Sequence, residues 1–136
     1  GKYVNDSIKK SELINGIISL NTSNNFEIYN ISEFTKDHEY NFHMQTGPII
    51  LYNGSKNNIS YNLNAGRRIL VGNDSKSNWY IIVIYDDGNF GEGPTLPETM
   101  TVLEDLSKVS NIDLDTVINL DGGSPVMKSY GIFINN

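Results

Sequence analysis

The sequence predicts an α+β fold: a mixed, twisted β-sheet with one principal helix carried in a βαβ crossover. Three observations point there. Short apolar runs separated by Asn, Ser and Gly clusters fill the first half of the chain and read as strands joined by turns. A single well-capped amphipathic segment, Leu96 to Val109, reads as the helix. That segment lies between two apolar runs, which gives the order strand, loop, helix, strand. With 136 residues the chain is expected to be a single domain over residues 1–136, long enough to bury a core without disulfides or a metal.

Taken in order, Leu13 to Leu20, Phe26 to Ile31 and Pro48 to Tyr52 are candidate strands, and Asn53-Gly54 is a turn signal. Ile69 to Val71 and Trp79 to Tyr85 flank the turn cluster from Gly72 to Asn78, the pattern of a hairpin with a longer loop. Trp79 to Tyr85 is apolar on both faces and is therefore expected at the centre of its sheet. A glycine-rich loop from Gly88 to Gly93 precedes Thr95-Leu96-Pro97-Glu98, a capping box in which hydroxyl and carboxylate satisfy free N–H groups at a helix start. Leu96, Met100, Leu103 and Leu106 recur at helical spacing, with Val102 and Val109 widening the stripe, and the helix should stop near Ser110-Asn111. Thr116 to Leu120 reads as a short buried strand ending at Asp121-Gly122-Gly123, and Val126 to Ile134 as a last strand.

A crossover sets its two strands parallel, with right-handed connection, so Asp86-Asp87 and Asp121 should follow strands ending on the same sheet edge. The strand from Ile69 runs antiparallel to its hairpin partner, so its beginning, with Arg67 and Arg68, comes to that edge as well. Ligands of such sheets sit outside the strand ends, beside helix N-termini that favour anions. An arginine next to glycine-rich backbone suits a phosphate, because a guanidinium fork and exposed amides both donate to anionic oxygens. Asp121 on a strand tip before two glycines allows close approach of a ligand.

Composition excludes several alternatives. A formal charge of -6 opposes general binding to nucleic acid through counterion release. The longest apolar run, Trp79 to Tyr85, is far short of the roughly 20 residues of a membrane-spanning helix. With no cysteine and two histidines, no metal site is expected; His38 and His43 read as structural or exposed. Asp86-Asp87-Gly88 lacks calcium-loop spacing, and Gly88 to Gly93 is neither a dinucleotide fingerprint nor a phosphate loop followed by Gly-Lys-Ser/Thr. The first residues, from Gly1, lack the layout of a signal peptide, and the chain reads as a processed product or fragment. The N-x-S/T triplets at Asn21, Asn30, Asn53, Asn58 and Asn73 follow from an Asn- and Ser-rich composition.

An ordered set of short motifs adds a more specific expectation. Gln45-Thr46-Gly47-Pro48 precedes an apolar strand and Asn53-Gly54; Arg68-Ile69-Leu70-Val71-Gly72 precedes an apolar strand ending in Asp87-Gly88; then come Gly93-Pro94-Thr95-Leu96-Pro97-Glu98 and Asn119-Leu120-Asp121-Gly122-Gly123. In this order the motifs resemble the phosphodiester glycosidase family, over roughly Gln45 to Met127. That family includes the uncovering enzyme of the lysosomal mannose 6-phosphate pathway and bacterial proteins associated with exopolysaccharide. The resemblance implies a hydrolase, a glycosidase that cleaves a sugar from a sugar-1-phosphodiester, with Asp121 and Arg68 catalytic. It implies substrate binding by Gln45, Gly47, Thr95, Asp87, Gly122, Gly123 and Ser124, no cofactor and no metal. The implied partner is a phosphorylated carbohydrate or polysaccharide, and the implied location is secreted or in the cell envelope of a bacterium.

The sequence departs from the family pattern in three places. No Asn-Gly-Gly-Phe-Phe-like strand precedes Gln45, Ile69 stands where the family has threonine, and the run after Asp121 reads Gly122-Gly123-Ser124-Pro125-Val126, one glycine short. The domain is accordingly expected to lack its N-terminal part, and this chain alone to be a weak catalyst or none. Two alternatives stand beside the hydrolase: a non-catalytic binding domain for a phosphorylated or acidic glycan, and an adhesive surface domain suggested by the Asn- and Ser-rich loops.

Overall fold

Turn chemistry divides the first half of the chain into short antiparallel segments. The computed structural model describes residues 12–35, 39–60, 64–89 and 92–121. Over these the elements run β1 (Gly16–Asn21), β2 (Phe26–Asn30), β3 (Tyr40–Thr46), β4 (Ile49–Tyr52), β5 (Ser55–Lys56), β6 (Arg68–Asp74), β7 (Trp79–Ile84), α1 (Leu96–Ser110) and β8 (Leu114–Asp121). Asn24 and Asn53, at φ 62° and 48°, turn the β1–β2 and β4–β5 hairpins in the left-handed region that asparagine tolerates.

The strands form two sheets, one of order β2-β1-β3 and one of order β5-β4-β8-β6-β7. Every strand pairing among the described residues is antiparallel, which corrects the expectation of a mixed sheet. The reason is the position of β6. It is the hairpin partner of β7 and also pairs with β8, so β7 and β8 run in the same direction with β6 between them and do not pair with each other.

The five-stranded sheet is covered on both faces. On one face Ile50, Leu70, Leu114 and Val117 meet Leu96 and Leu103 of α1. On the other, Ile49 and Ile118 meet Ile18 of the three-stranded sheet. The sheets approach closely at Gly16, where an added Cβ would fall 2.3 Å from Ile118 Cδ1; a side chain there would separate the layers.

The helix matches its sequence signals. Thr95 is the N-cap with both halves of the capping box formed, Pro97 lies in the first turn, and Asn111 ends the helix at φ 56°. The buried stripe is narrower than expected: Leu96, Thr99 and Leu103 are buried, whereas Val102 and Val109 are exposed because they fall on the flank turned away from the sheet. Trp79 to Tyr85 also needs correction, since β7 is an edge strand among those described. Tyr80, Ile82 and Ile84 pack beneath α1; on the opposite face the three-stranded sheet meets the start of β7, with the Phe26 and Trp79 ring centroids 5.7 Å apart, and leaves Ile81 74% exposed. The strands β3 and β5 were not anticipated, and the expected strand Val126 to Ile134 lies outside the described residues. No helix among the described residues is long and apolar enough to cross a membrane.

Candidate functional site

The start of β6 and the ends of β7 and β8 share one edge of the five-stranded sheet, with Arg68 opposite Ile84 and Ile69 opposite Asp121. Two further segments are tied to this edge. The turn between β3 and β4 is held by Asn119, whose Nδ2 donates to the Gly47 carbonyl at 3.2 Å and whose backbone N–H donates to the Pro48 carbonyl at 3.0 Å. The Thr46 hydroxyl completes this junction by donating to the Asn119 carbonyl at 3.0 Å. The segment before α1 is held by Arg68 Nε, which donates to the Pro94 carbonyl at 2.9 Å, and by Gly66 N–H, which donates to the Gly93 carbonyl at 3.1 Å.

Arg68 is 1% exposed and lies on the same face of β6 as Leu70, the face beneath α1. Its Nη2 donates to the Asn64 carbonyl at 2.6 Å. These two carbonyl contacts help to fix the guanidinium plane. Arg67 is buried as well. Asp121 is the last residue of β8. Gly47 adopts φ 150° before a cis bond to Pro48, and a Cβ there would meet the Leu13 carbonyl at 2.9 Å, so the turn requires glycine.

Other predicted residues have structural partners. Gln45 Nε2 donates to the Ile14 carbonyl at 2.7 Å. The Thr95 hydroxyl accepts from Glu98 N–H at 3.3 Å and donates to Glu98 Oε2 at 2.8 Å, so it serves the helix start. The same contacts hold the Glu98 carboxyl below its usual range, the backbone N–H of Thr95 contributing most. Asp87 is exposed in a turn bounded by the Asp86–Asn89 bridge. Gly122, Gly123, Ser124 and His38 lie outside the described residues. His43 packs against Phe34 and Tyr40, with ring centroids 5.4 and 5.9 Å away.

The residue that the site reading passed over is Asn119. It is buried on β8 between Ile118 and Leu120, and a polar side chain interrupting the apolar run from Val117 to Leu120 is the signal that singles it out. A separate cleft of about 340 Å³ opens between loop residues 56–59 and the first turns of α1, where Ile59, Leu96, Pro97 and Met100 form its apolar wall. None of the sequence-predicted site residues lines it. Among the described residues no group of three or more His, Cys, Asp or Glu side chains is placed to hold a metal ion. Compared with known proteins, the chain matches no family model and no curated sequence.

Proposed function

We propose that the sheet edge around Arg68 and the end of β8 binds a sugar joined through its anomeric carbon to a phosphodiester, and that the chain is a phosphodiester glycosidase-like hydrolase. The observation that carries this reading is the convergence on one edge of the segments around Gly47, Arg68, Pro94 and Asn119, joined by the bonds of Arg68 to the Pro94 and Asn64 carbonyls and of Asn119 to the Gly47 carbonyl. A positively charged group prepositioned away from bulk water attracts an anionic oxygen more strongly than one that must be ordered and desolvated on binding. The same reading includes the finer architecture: a twisted sheet in which the connection from β7 through α1 to β8 is a right-handed crossover. It also includes the secreted or cell-envelope location of bacterial exopolysaccharide proteins.

In the proposed reaction water adds across the bond between the anomeric carbon and the phosphate oxygen, releasing the free sugar and a phosphomonoester. Ordinary glycosidases protonate a poor alkoxide leaving group with a carboxylic acid. A phosphomonoester, whose second pKa is about 6, departs without that help. Two tasks are left to the protein: neutralising phosphate charge, assigned to Arg68, and orienting water or steadying the oxocarbenium ion, assigned to Asp121. Gln45, Gly47, Asp87, Thr95, Gly122, Gly123 and Ser124 complete the proposed substrate contacts. Pro125 favours a second reading, a non-catalytic glycan-binding domain, since proline removes a backbone donor just after the Asp121 run.

The test is hydrolysis of methyl phosphodiesters of common hexose 1-phosphates by this chain and by its Asp121→Asn variant. Slow release of reducing sugar by this chain, falling about 10²-fold or more in the variant, is the expected result. Equal rates for the two proteins would remove Asp121 from the mechanism, and binding without turnover selects the second reading.

A further inference from the structure

Strand β7 presents an edge that its sequence does nothing to protect. Among the described residues β7 pairs with β6 alone, so its second row of backbone N–H and C=O groups faces away from the sheet. Natural edge strands are blunted by shortness, lysine, proline or a bulge, because an open edge is a template for another strand. The opposite edge follows that rule: β5 is two residues long and carries Lys56. Trp79–Ile84 has six residues with no charge and no proline, and its register with β6 runs without a bulge. Such a composition belongs to a strand with a neighbour on each side.

The surface around this edge is apolar as well. Ile81 pairs with Val71, which packs on the Ile18 cluster, and Val83 pairs with Ile69. Paired residues share a face, so Ile81 and Val83 lie on the face turned towards the three-stranded sheet. On the facing surface of that sheet, Phe26 and Phe42 are paired with Leu20, and Met44 is paired with Ile18. These five side chains are exposed by between 39% at Val83 and 74% at Ile81. At about 200 Å² for a large apolar side chain, they expose on the order of 500 Å² together, near the upper end for the largest apolar patch of a monomer. Two copies meeting through it would bury about 1,000 Å² in all, the size at which specific interfaces begin.

We propose that β7 pairs antiparallel with the β7 of a second copy of this chain, joining the two five-stranded sheets edge to edge across a two-fold axis at Ile81. Charge selects this direction. The exposed Lys76 precedes β7 and the exposed Asp86 and Asp87 follow it. Antiparallel pairing centred on Ile81 sets Trp79 of each copy against Val83 of the other and brings Lys76 level with Asp86, whereas parallel pairing would place acid beside acid. The two-fold makes the contact self-complementary and closed, so association stops at two copies. An interface at the small end of the range gives a weak, concentration-dependent dimer. In the lone chain Ile81 stays exposed, and a substitution there acts on association and leaves folding as it was.

The chain has no cysteine, so a single introduced thiol reports the contact. Directly opposed residues of antiparallel strands have Cα atoms about 4.5–5.5 Å apart, within the span a disulfide bridges. Under mild oxidation Ile81→Cys should form a covalent dimer at least about tenfold faster than Val109→Cys, because pairing holds the two Ile81→Cys thiols at high effective concentration; Val109 is 89% exposed on α1, away from the axis. Comparable rates, or no covalent dimer from Ile81→Cys, overturn the proposal. Sedimentation equilibrium of the wild type, from micromolar to near-millimolar concentration, should move from the 15.2 kDa of one chain to twice that mass, while Ile81→Lys stays at one chain. A wild type that remains single throughout overturns the proposal, as it would if another segment of the same chain covered β7. Growth without a limiting mass, or a dimer that survives Ile81→Lys, overturns it too. Should Ile81→Lys fail to fold, the disulfide rates and the wild-type masses decide.

Discussion

Asp74 shows how much of the β6–β7 turn is decided by one side chain. Its carboxylate accepts from the Lys76 and Asn78 backbone N–H groups, each at 2.9 Å, from Asn78 Nδ2 at 2.9 Å and from the Tyr80 hydroxyl at 2.8 Å. The side-chain amide of Asn78 contributes most to holding this carboxyl at about 2, against an ordinary value of 3.8, while burial works the other way. Because the folded-state pKa is depressed, the stabilisation is complete above about 3.8 and is lost as pH falls towards about 2. Asp74→Asn should therefore lower the melting temperature at neutral pH and flatten the acid limb of the stability curve over that window; denaturant titrations across pH check it, and an unchanged acid limb contradicts it. Ser19 makes the opposite case. Its hydroxyl is buried without a partner, so Ser19→Ala should leave stability unchanged or raise it by up to about 1 kcal/mol in urea denaturation. Neither Ser19 nor Asn119, whose buried Oδ1 also lacks a partner, announces its unpaired atom in the sequence, because satisfaction depends on which neighbouring strand supplies a partner.

At the scale of elements, legibility followed locality. The helix was readable in advance because its cap, its periodic stripe and its stop signal all lie within α1 and the residues beside it. Thr95→Ala should cost about 1 kcal/mol, measured by thermal or urea unfolding, and an effect near zero would show that the capping box contributes nothing to the fold. Strand β3 runs against its pattern. Phe42 and Met44 alternate with Asn41, His43 and Gln45 as on a strand with one apolar face, but Phe42 and Met44 are the exposed side, at 48% and 41%, and His43 and Gln45 the half-buried one. Strand β7 also misled: continuous apolar composition normally marks two-sided burial, but Ile81 faces solvent. Ile81→Lys should accordingly change stability by no more than about 0.5 kcal/mol, and a loss of several times that would place Ile81 in a buried contact.

For the whole molecule, the crowding of chemistry at one sheet edge was predictable and the layering was not. Arg68, the end of β7 and Asp121 come together because a hairpin and two strands of the same direction leave no other arrangement. The division into two sheets depends on pairings between residues far apart in the chain, such as Ile17 with Gln45 and Ile49 with Ile118, which no local pattern encodes. The segment around Gly47 reached the site reading through the family resemblance, and its bonds to Asn119 give that placement a physical basis. The most direct test of the site is an amide-resolved NMR titration of the chain with a hexose 1-phosphate methyl diester. The account predicts that the largest shifts fall on Gly47, Arg68, Gly93 and Asn119; shifts confined to the cleft beside Ile59, Leu96 and Met100, or no shifts at all, would contradict it.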